Sequence, residues 1–350
     1  MPVLPYLGWT ILSDLRRKPS LDASTPSFSR HGTDSLRTLN ENFEMPIKPI
    51  FELSRRGKVP VITWPKPMKT GETVRALLQF DEHWDNPHSD QDMIRRHMEE
   101  AVDEGAPIIK GGDTFCAMQG RYDPRRARHG VRPEHDHPDY VDRLVSGYAE
   151  FAQFAAPNIA FMGRGNHELG VLKNIETDLI ERTAERLRIA GSPVHTGGIG
   201  GWILMVFHLT KTAKLSIPIF YHHGHGGGGP VTKGVIQTNR RATYVPDASV
   251  VIGGHVHEEW SVTLCRDRIN THTGRVYQDE QVHICSPTYK QEYDPASSTW
   301  HSLNGRPPKP IGGTWLELTL GKTYDGTKRS NRPTSESPLY KIIPNVRKAK

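Results

Sequence analysis

Aspartate, asparagine and histidine residues recur in this sequence at one kind of position, directly after a short apolar run. The most informative example is the segment Gly165-Asn166-His167-Glu168, which follows the apolar residues 158–162. The apolar run indicates a buried strand, and glycine at positions 163 and 165 allows a sharp turn at its carboxyl end. Amide, carboxylate and imidazole groups are ligands of divalent metal ions. Taken alone, however, this segment is only a tetrapeptide that leads from a strand into a loop.

Four further segments share this setting, and each follows an apolar run typical of a β-strand. They are Asp81-Glu82-His83, Gly112-Asp113, His223-Gly224-His225 and Gly254-His255-Val256-His257. Any one of these short patterns would occur by chance in a chain of 350 residues. Five strand ends that all carry Asp, Asn or His predict a single site.

The ligand types indicate which metals this site would take. Carboxylate, amide oxygen and imidazole together suit divalent Mn, Fe, Zn, Co or Ni, with Mn favoured. The lack of cysteine near the strand ends argues against a soft thiolate site. The ligands are too many for one ion, which predicts two. Two ions about 3.5–4 Å apart can polarise a phosphoryl group and generate a bridging hydroxide as the nucleophile.

The order of the five segments, D-x-H, G-D, G-N-H-E, H-G-H and G-H-x-H, resembles the calcineurin-like metallophosphoesterase superfamily. The resemblance covers roughly residues 74–257 and extends more weakly to about residue 318. It implies an α/β fold in which a two-sheet sandwich is flanked by helices, an αββα arrangement. It also implies a ligand set for each ion. The first ion would be held by Asp81, His83, Asp113 and His257, and the second by Asn166, His223 and His255 together with Asp113 as a bridge.

The resemblance also gives catalytic roles to two residues of the segment Arg164-Gly165-Asn166-His167-Glu168. His167 would lie near the leaving group as general acid or transition-state stabiliser. Arg164 would clamp the phosphate as in phosphoprotein phosphatases, a role that suits the bidentate guanidinium. The chain departs from that family because no Asp-Arg-Gly follows Asp113 and because a G-H-x-H segment is present. It looks closer to the branch of Mre11-type nucleases and bacterial and phage phosphoesterases.

Composition shifts divide the chain into three predicted parts. Residues 1–70 are expected to be an N-terminal extension, partly disordered or peripheral. Residues 71–320 would form the metallophosphoesterase domain, and residues 321–350 a C-terminal tail. Strands alternate with helical patterns in the domain, which favours α/β architecture. Helices are predicted from about residue 90 to 105, 139 to 155 and 176 to 190.

A basic insertion at residues 119–137 emerges from the loop that carries Asp113. Its predicted substrate contacts are Arg121, Arg125, Arg126 and Arg128. These arginines could contact a phosphate backbone, but a solvated loop explains them equally well. His225 is a further candidate on the substrate side. The glycines at 226–229 could cradle a phosphate, although a flexible loop before a helix is the simpler explanation.

The bulk composition limits partners and location. A net charge of +6 and a pI near 9.1 suit a phosphate-bearing partner such as DNA or RNA without requiring one. Three widely spaced cysteines exclude a disulfide framework and fit a reducing, cytoplasmic setting. The sequence shows no signal-peptide pattern. Its longest apolar run beyond the N-terminus, residues 202–207, is too short to span a membrane.

Three functions are compatible with these patterns. The first is a two-metal phosphodiesterase or nuclease on nucleic acid, favoured by the G-H-x-H segment and the basic insertion. The second is a phosphomonoesterase or pyrophosphatase on a small metabolite or phosphoprotein, favoured by Arg164. The third is a non-catalytic binding scaffold, which the complete ligand set and His167 make the weakest. The sequence does not select the substrate, the native metals or the oligomeric state.

Overall fold

The computed structural model describes residues 48–57, 59–117, 131–229, 231–291, 293, 305–328 and 336–349. These residues form two β-sheets that pack face to face, with helices on their outer faces. The predicted α/β sandwich flanked by helices is therefore confirmed.

The first sheet has seven strands in the order β1-β2-β7-β8-β9-β11-β10. Their bounds are β1 Ile50–Leu53, β2 Pro60–Trp64, β7 Gly200–His208, β8 Lys214–His222, β9 Val250–Gly253, β10 Trp260–Ile269 and β11 Val276–Cys285. Strand β8 lies parallel to β9, and β9 parallel to β11. Their chain ends therefore point to the same edge of the sheet.

The second sheet has six strands in the order β13-β12-β3-β4-β5-β6. Their bounds are β3 Thr73–Gln79, β4 Ile108–Lys110, β5 Ile159–Met162, β6 His195–Thr196, β12 Thr314–Lys328 and β13 Glu336–Lys348. Strands β3 to β6 are parallel. Short strands of continuous apolar sequence such as β5 are typical of a parallel sheet covered on both faces, and all four residues of β5 are buried.

Five helices cover the sheets in the described residues. They are α1 Gln91–Asp103, α2 Tyr140–Ala152, α3 Asn166–Ile175, α4 Leu179–Ile189 and α5 Ile236–Tyr244. Helices α1, α2 and α4 bury their apolar faces against the six-stranded sheet. Residues at the end of α5 pack on the seven-stranded sheet around Val251. A separate apolar core, which includes the stacked pair Trp64 and Phe207, fills the space between the sheets.

The three predicted helices are present, and their ends have physical causes. The Asp90 side chain accepts a hydrogen bond from the Met93 amide at 2.8 Å and so caps α1. The Asp178 side chain caps α4 in the same way. Helix α3 was not predicted. Its first residues are Asn166, His167 and Glu168, so this segment begins a helix rather than a loop.

The predicted ends of the domain differ from the observed ones. Strand β2 is hydrogen-bonded to β7 and Trp64 is buried, so residues 48–64 belong to the seven-stranded sheet. The sequence predicted these residues as part of a peripheral extension, and β1 and β2 lie at one edge of the sheet; residues 1–47 lie outside the described ones. In the predicted C-terminal tail, β13 pairs along β12. Edge strands need only one apolar face, so these segments look polar in sequence.

Among the described residues, no helix has the length and apolar character needed to cross a membrane.

A buried polar network links the six-stranded sheet to α2. The Lys110 ammonium donates to Glu82 Oε1 at 2.5 Å and to Gln79 Oε1 at 2.6 Å. The Tyr148 hydroxyl donates to Glu82 Oε2 at 2.6 Å. Glu82 therefore has a structural role, whereas its neighbours in the D-E-H segment lie at the site described below.

Tyr148→Phe should lower the free energy of unfolding by roughly 1.5–3 kcal/mol, because it leaves a buried carboxylate oxygen without its donor. Urea denaturation measures the loss. Tyr277→Phe is the control, because Tyr277 is 40% exposed and the same substitution there should change stability little. Equal stability of the two variants would contradict the role given to this hydroxyl.

Candidate metal centre

The five predicted segments meet at one end of the two-sheet sandwich. In the six-stranded sheet they follow the carboxyl ends of the parallel strands β3, β4 and β5. In the seven-stranded sheet they follow β8 and β9. Backbone hydrogen bonds join neighbouring segments: the Asp81 amide donates to the Gly112 carbonyl at 3.1 Å, and the Gly254 amide to the His223 carbonyl at 2.9 Å.

The first group of potential ligands consists of Asp81, His83 and His257. The Nε2 atoms of His83 and His257 are 3.3 Å apart. Asp81 Oδ1 lies 3.4 Å from His257 Nε2 and 4.0 Å from His83 Nε2. Two nitrogens that each bind one tetrahedral ion at about 2.0–2.1 Å are separated by about 3.3 Å. The spacing of these donors fits a shared metal ion.

The second group consists of Asp113, His223 and His255, with Asn166 beside them. Asp113 Oδ2 is 3.1 Å from His223 Nε2. Asn166 Oδ1 is 2.8 Å from His255 Nδ1 and 3.2 Å from His223 Nε2. The two groups adjoin, because His223 Nε2 is also 3.8 Å from Asp81 Oδ1. All seven predicted ligands therefore lie in one continuous cluster.

Two buried atoms in the first group test whether a metal fits. Asp81 Oδ1 and His83 Nδ1 are both buried, and neither has a hydrogen-bond partner among the residues that the structure describes. An unpaired buried carboxylate oxygen is costly, and a cation at Asp81 would relieve that cost. The oxygen and nitrogen donors also match the preferences of Mn, Fe or Zn. The residues present therefore fit a divalent metal ion.

The electrostatics of the cluster favour added positive charge. Burial, followed by the charge of Lys290, holds the pKa of His83 well below its usual range, so its imidazole is neutral. Burial opposes ionisation of Asp113, but His223 and His167 hold its pKa well below its usual range. Burial also opposes protonation of His223, but Asp113 and Asp81 raise its pKa to about 9. A bound metal can supply the positive charge that the proton on His223 otherwise provides.

Left-handed backbone conformation is concentrated at the predicted ligands. Five of the seven predicted ligands have positive φ, between 46° and 72°. They are Asp81, His83, Asp113, His255 and His257. Such angles are uncommon for residues other than glycine and collect at functional sites. The chain accepts this local cost in order to point the five side chains into one volume.

Two glycines of the motifs are explained by close approach of the loops. A Cβ at Gly165 would lie 2.0 Å from Asp113 Oδ1. A Cβ at Gly254 would lie 2.3 Å from Asp81 Oδ2. Larger residues at these positions would push the ligand-bearing loops apart. The glycines therefore belong to the site although they carry no donor group.

Glu168 holds the Asp113 loop against the start of α3. Its carboxylate accepts hydrogen bonds from the amides of Gly165 at 2.8 Å, Phe115 at 2.9 Å and Asp113 at 3.1 Å. Burial and then the charge of Asp113 raise the pKa of Glu168 to about 8, against the effect of the amide donors. Glu168 is thus a positioning residue for the cluster.

Cys116 is a residue near the cluster that the sequence did not predict. Its thiol lies with the ring nitrogens of His83 and His167 in a third group of potential ligands, so the predicted absence of cysteine near the strand ends is wrong. The cause is a turn in the loop after Asp113: the amides of Cys116 and Ala117 donate to the Asp85 carboxylate at 2.5 and 2.9 Å. An aspartate shortly after the D-x-H segment was the only signal in the sequence.

His167 lies at the edge of the cluster. Its Nδ1–H donates to the Cys116 carbonyl at 2.5 Å. Its Nε2 is 3.8 Å from Asp113 Oδ2, and its ring packs edge-on against His83. The backbone amide of His167 donates to Asp113 Oδ1 at 3.0 Å. These contacts direct Nε2 toward the potential metal ligands.

Arg164, the predicted phosphate clamp, is held in an ion pair with Asp178. Its Nε donates to both Asp178 oxygens, at 3.0 and 3.1 Å, and Nη1 donates to the Gly197 carbonyl. Burial would raise the pKa of Asp178, but the Arg164 hydrogen bond lowers it. A guanidinium held by these acceptors must break an ion pair before it can bind phosphate. The ion pair ties β5 to α4, and the role of Arg164 as a phosphate clamp stays a prediction.

Of the remaining predicted substrate contacts, only His225 lies among the described residues. Four of them, Arg121, Arg125, Arg126 and Arg128, lie outside the described residues. His225 is exposed and packs edge-on against His222. It lines a cavity beside the cluster.

No family model and no curated protein matches the chain. Three solved structures are similar at low identity. A conserved uncharacterized protein from Streptococcus pneumoniae, described as a predicted phosphoesterase, has a TM-score of 0.28 and 11% identity over 78% of this chain and 99% of its own. Vps29 from Entamoeba histolytica, complexed with zinc, has a TM-score of 0.27 and 10% identity over 77% and 99%. GAP50 from Plasmodium, the anchor in the inner membrane complex, has a TM-score of 0.33 and 11% identity over 73% and 84%.

TM-scores below 0.5 carry no argument about fold or activity, so the structural conclusion depends on the chain itself. Two packed sheets flanked by helices are present. Five motif segments in the order of the calcineurin-like metallophosphoesterases bring two groups of potential metal ligands together at the carboxyl ends of their strands. The chain therefore folds as a two-sheet α/β sandwich that gathers its potential metal ligands at one end.

Proposed function

We propose that the protein is a metal-dependent phosphoesterase that uses two divalent ions and acts on phosphodiesters, with nucleic acid as substrate. The observation that carries this proposal is the contact between the two ligand groups, in which His223 Nε2 lies 3.1 Å from Asp113 Oδ2 and 3.8 Å from Asp81 Oδ1. Two-ion sites of this kind are common in phosphatases and nucleases.

The residues in the cluster divide into two ligand sets. Asp81, His83 and His257 would hold the first ion. Asn166, His223 and His255 would hold the second, with Asp113 shared between the two. When bound, the ions supply Lewis-acid polarisation of a phosphoryl oxygen and of water.

His167 would transfer the proton that the leaving oxygen requires. Its Nδ1–H is held by the Cys116 carbonyl, and this hydrogen bond fixes the tautomer so that Nε2 is the atom available for proton transfer. Nε2 lies 3.8 Å from the Asp113 carboxylate, beside the residues that would hold the ions. Glu168 and the turn at Asp85 keep this geometry by holding the loop that carries Asp113 and Cys116.

The ion pair of Arg164 with Asp178 bears on the choice between diester and monoester. A monoesterase must stabilise a dianionic phosphoryl group, for which arginine clamps are well suited. The residue that favoured this function in the sequence is bound elsewhere. The net charge of +6 is instead suited to several phosphates along a strand. These two features support the diester.

An assay with metal-loaded protein tests the proposal. Hydrolysis of bis-p-nitrophenyl phosphate should exceed that of p-nitrophenyl phosphate with Mn²⁺, and chelation should abolish both, because the ions supply the polarisation of the phosphoryl oxygen. Binding to single- and double-stranded DNA should weaken as salt rises.

Other outcomes of this assay would favour the alternatives. Preference for the monoester without salt-sensitive DNA binding would favour a phosphomonoesterase or pyrophosphatase. A complete lack of metal-dependent hydrolysis, in protein shown to contain metal, would favour a binding scaffold.

A further inference from the structure

A cavity of about 280 Å³ lies next to the metal centre, where the loops after β8 and β9 meet helix α5. Gly224 and Gly254 line it, and each is the chain neighbour of a potential metal ligand, His223 or His255. Two consecutive arginines of α5, Arg240 and Arg241, also line it. The cavity thus combines a position beside the metal ligands with two cations.

Arg241 differs from other partly buried arginines of this protein. Its Nε is buried without a hydrogen-bond partner, and no ion pair of Arg241 is found in the described part of the chain. By contrast, Arg266 forms two hydrogen bonds to Asp279 and two to backbone carbonyls, and Arg164 is held by Asp178. A partly buried cation without an anion is costly. A ligand anion would remove this cost.

The groups beside Arg241 include a glycine and a neutral imidazole. Its guanidinium lies against Gly253, where Nη1 is 3.1 Å from the position that a Cβ would occupy. Burial and then the charge of Arg241 lower the pKa of His283 to about 4, so that imidazole is neutral at physiological pH. The absence of a side chain at Gly253 leaves the guanidinium room beside the cavity.

The rest of the cavity wall is suited to an organic phosphate. Trp260 lines it, and the indole is fixed by a hydrogen bond from Nε1 to the Lys233 carbonyl at 2.9 Å. Val256 and Ile284 add apolar surface, and Gln237 adds a polar group. Arginine is the preferred partner of phosphate because its planar fork matches two oxygens at once.

We propose that this cavity is a phosphate-binding site with Arg241 as its principal ligand. We further infer that it holds the phosphate next to the scissile one when a substrate is bound, and this second step rests on the proposed function. Gly224 and Gly254 line the cavity, and each is the chain neighbour of a potential metal ligand. One substrate can therefore reach the cavity and the metal centre at the same time. A phosphate from a separate anion has the same chemistry, and the experiment distinguishes the two sources.

The binding test uses the full chain and inorganic phosphate, titrated by ³¹P NMR after chelation of all divalent metal. Phosphate should still bind. Arg241→Gln should weaken that binding roughly 10- to 100-fold, the effect of a lost charge-assisted hydrogen bond. Arg186→Gln is the matched control, because Arg186 is exposed on α4, and it should bind phosphate as the unaltered chain does.

Two results would overturn the site. One is phosphate binding that disappears on chelation in the unaltered chain, which would place the anion on the metals and leave the proposed function intact. The other is equal binding by Arg241→Gln and Arg186→Gln. Arg241→Lys guards against a folding defect: it keeps the charge but not the fork, so its phosphate affinity should fall between those of the unaltered chain and Arg241→Gln.

A kinetic test identifies the source of the phosphate. Metal-loaded protein is assayed with the dinucleotide TpT and with pTpT, which carries one additional phosphate. If the site holds a substrate phosphate, pTpT should have the higher kcat/KM, and Arg241→Gln but not Arg186→Gln should remove that advantage. Equal kcat/KM for both substrates in the unaltered chain would overturn the substrate role. If the proposed function itself is wrong, neither TpT nor pTpT will be hydrolysed. That result differs from both outcomes above.

Discussion

Asp113→Asn should reduce metal-dependent phosphoesterase activity by roughly 10³-fold or more. The proposed function places Asp113 between the two ions, and an amide there cannot supply the negative charge that both require. A loss of about 4 kcal/mol in transition-state stabilisation corresponds to that factor, and metal ions contribute several kcal/mol in such sites. The variant should also bind less metal than the unaltered protein. Initial rates with bis-p-nitrophenyl phosphate and the metal content of the same sample measure both effects.

The fold should survive this substitution. Asparagine has the shape of aspartate and tolerates the positive φ of 50° at position 113. Its side-chain carbonyl can still accept the His167 amide, which now donates to Asp113 Oδ1. The loop is also held by the hydrogen bonds that the Asp113 and Phe115 amides donate to Glu168. The circular dichroism spectrum and unfolding midpoint should therefore change little.

Asp267→Asn is the control for the loss of one carboxylate. Asp267 lies exposed on β10, where it accepts a hydrogen bond from Gln278, far along the sheet from any predicted ligand. Its activity and metal content should match those of the unaltered protein. Full activity of Asp113→Asn with normal metal content would refute the two-ion function.

The sequence was sufficient to predict which side chains come together, and the reason is local. Asp81, Asp113 and His223 each follow a strand end, and parallel neighbouring strands bring their carboxyl ends to one edge. The position of each ligand is therefore encoded within a few residues of it. The glycines at 165 and 254 could be explained only in three dimensions, because their role is contact between loops distant in sequence.

The sequence was not sufficient where a side chain depends on a distant partner. Arg164 has the sequence context of a phosphate clamp, yet Asp178, fourteen residues later, binds it. Cys116 enters the cluster because Asp85 captures two amides of its loop. Arg241 is in the opposite situation, because its Nε has no hydrogen-bond partner within the described part of the chain. Composition gives no information on any of these pairings.

The ends of the domain also depend on partners that are distant in sequence. Strand β13 has no long apolar run, but alternate residues such as Ile342 are buried where it pairs with β12. Pairing between β12 and β3 joins residues more than 200 positions apart. Such pairing cannot be derived from local periodicity, so the last strands looked like a tail.

His167→Ala should retain its metals and lose roughly 10²–10⁴-fold in kcat, the usual effect of removing a positioned acid or base. The loss should be smaller for a substrate whose leaving group departs readily without a proton. Bis-p-nitrophenyl phosphate should therefore be less affected than a dinucleotide, whose leaving sugar oxygen needs protonation. Comparison of the two substrates separates proton transfer from a general disturbance of the site.

His272→Ala is the control, because His272 is exposed in the turn between β10 and β11. This substitution should leave the rate and the metal content unchanged. The structure also offers a second role for His167, as a metal ligand. One of its ring nitrogens belongs to the same group of potential ligands as His83 and the Cys116 thiol. If His167→Ala loses metal in proportion to its activity, His167 is a ligand and the proposed second ion is differently held. If it keeps its metal and slows both substrates equally, its role is electrostatic rather than proton transfer. Normal metal content with a selective loss on the dinucleotide is the result that the position of Nε2, 3.8 Å from Asp113 Oδ2, leads us to expect.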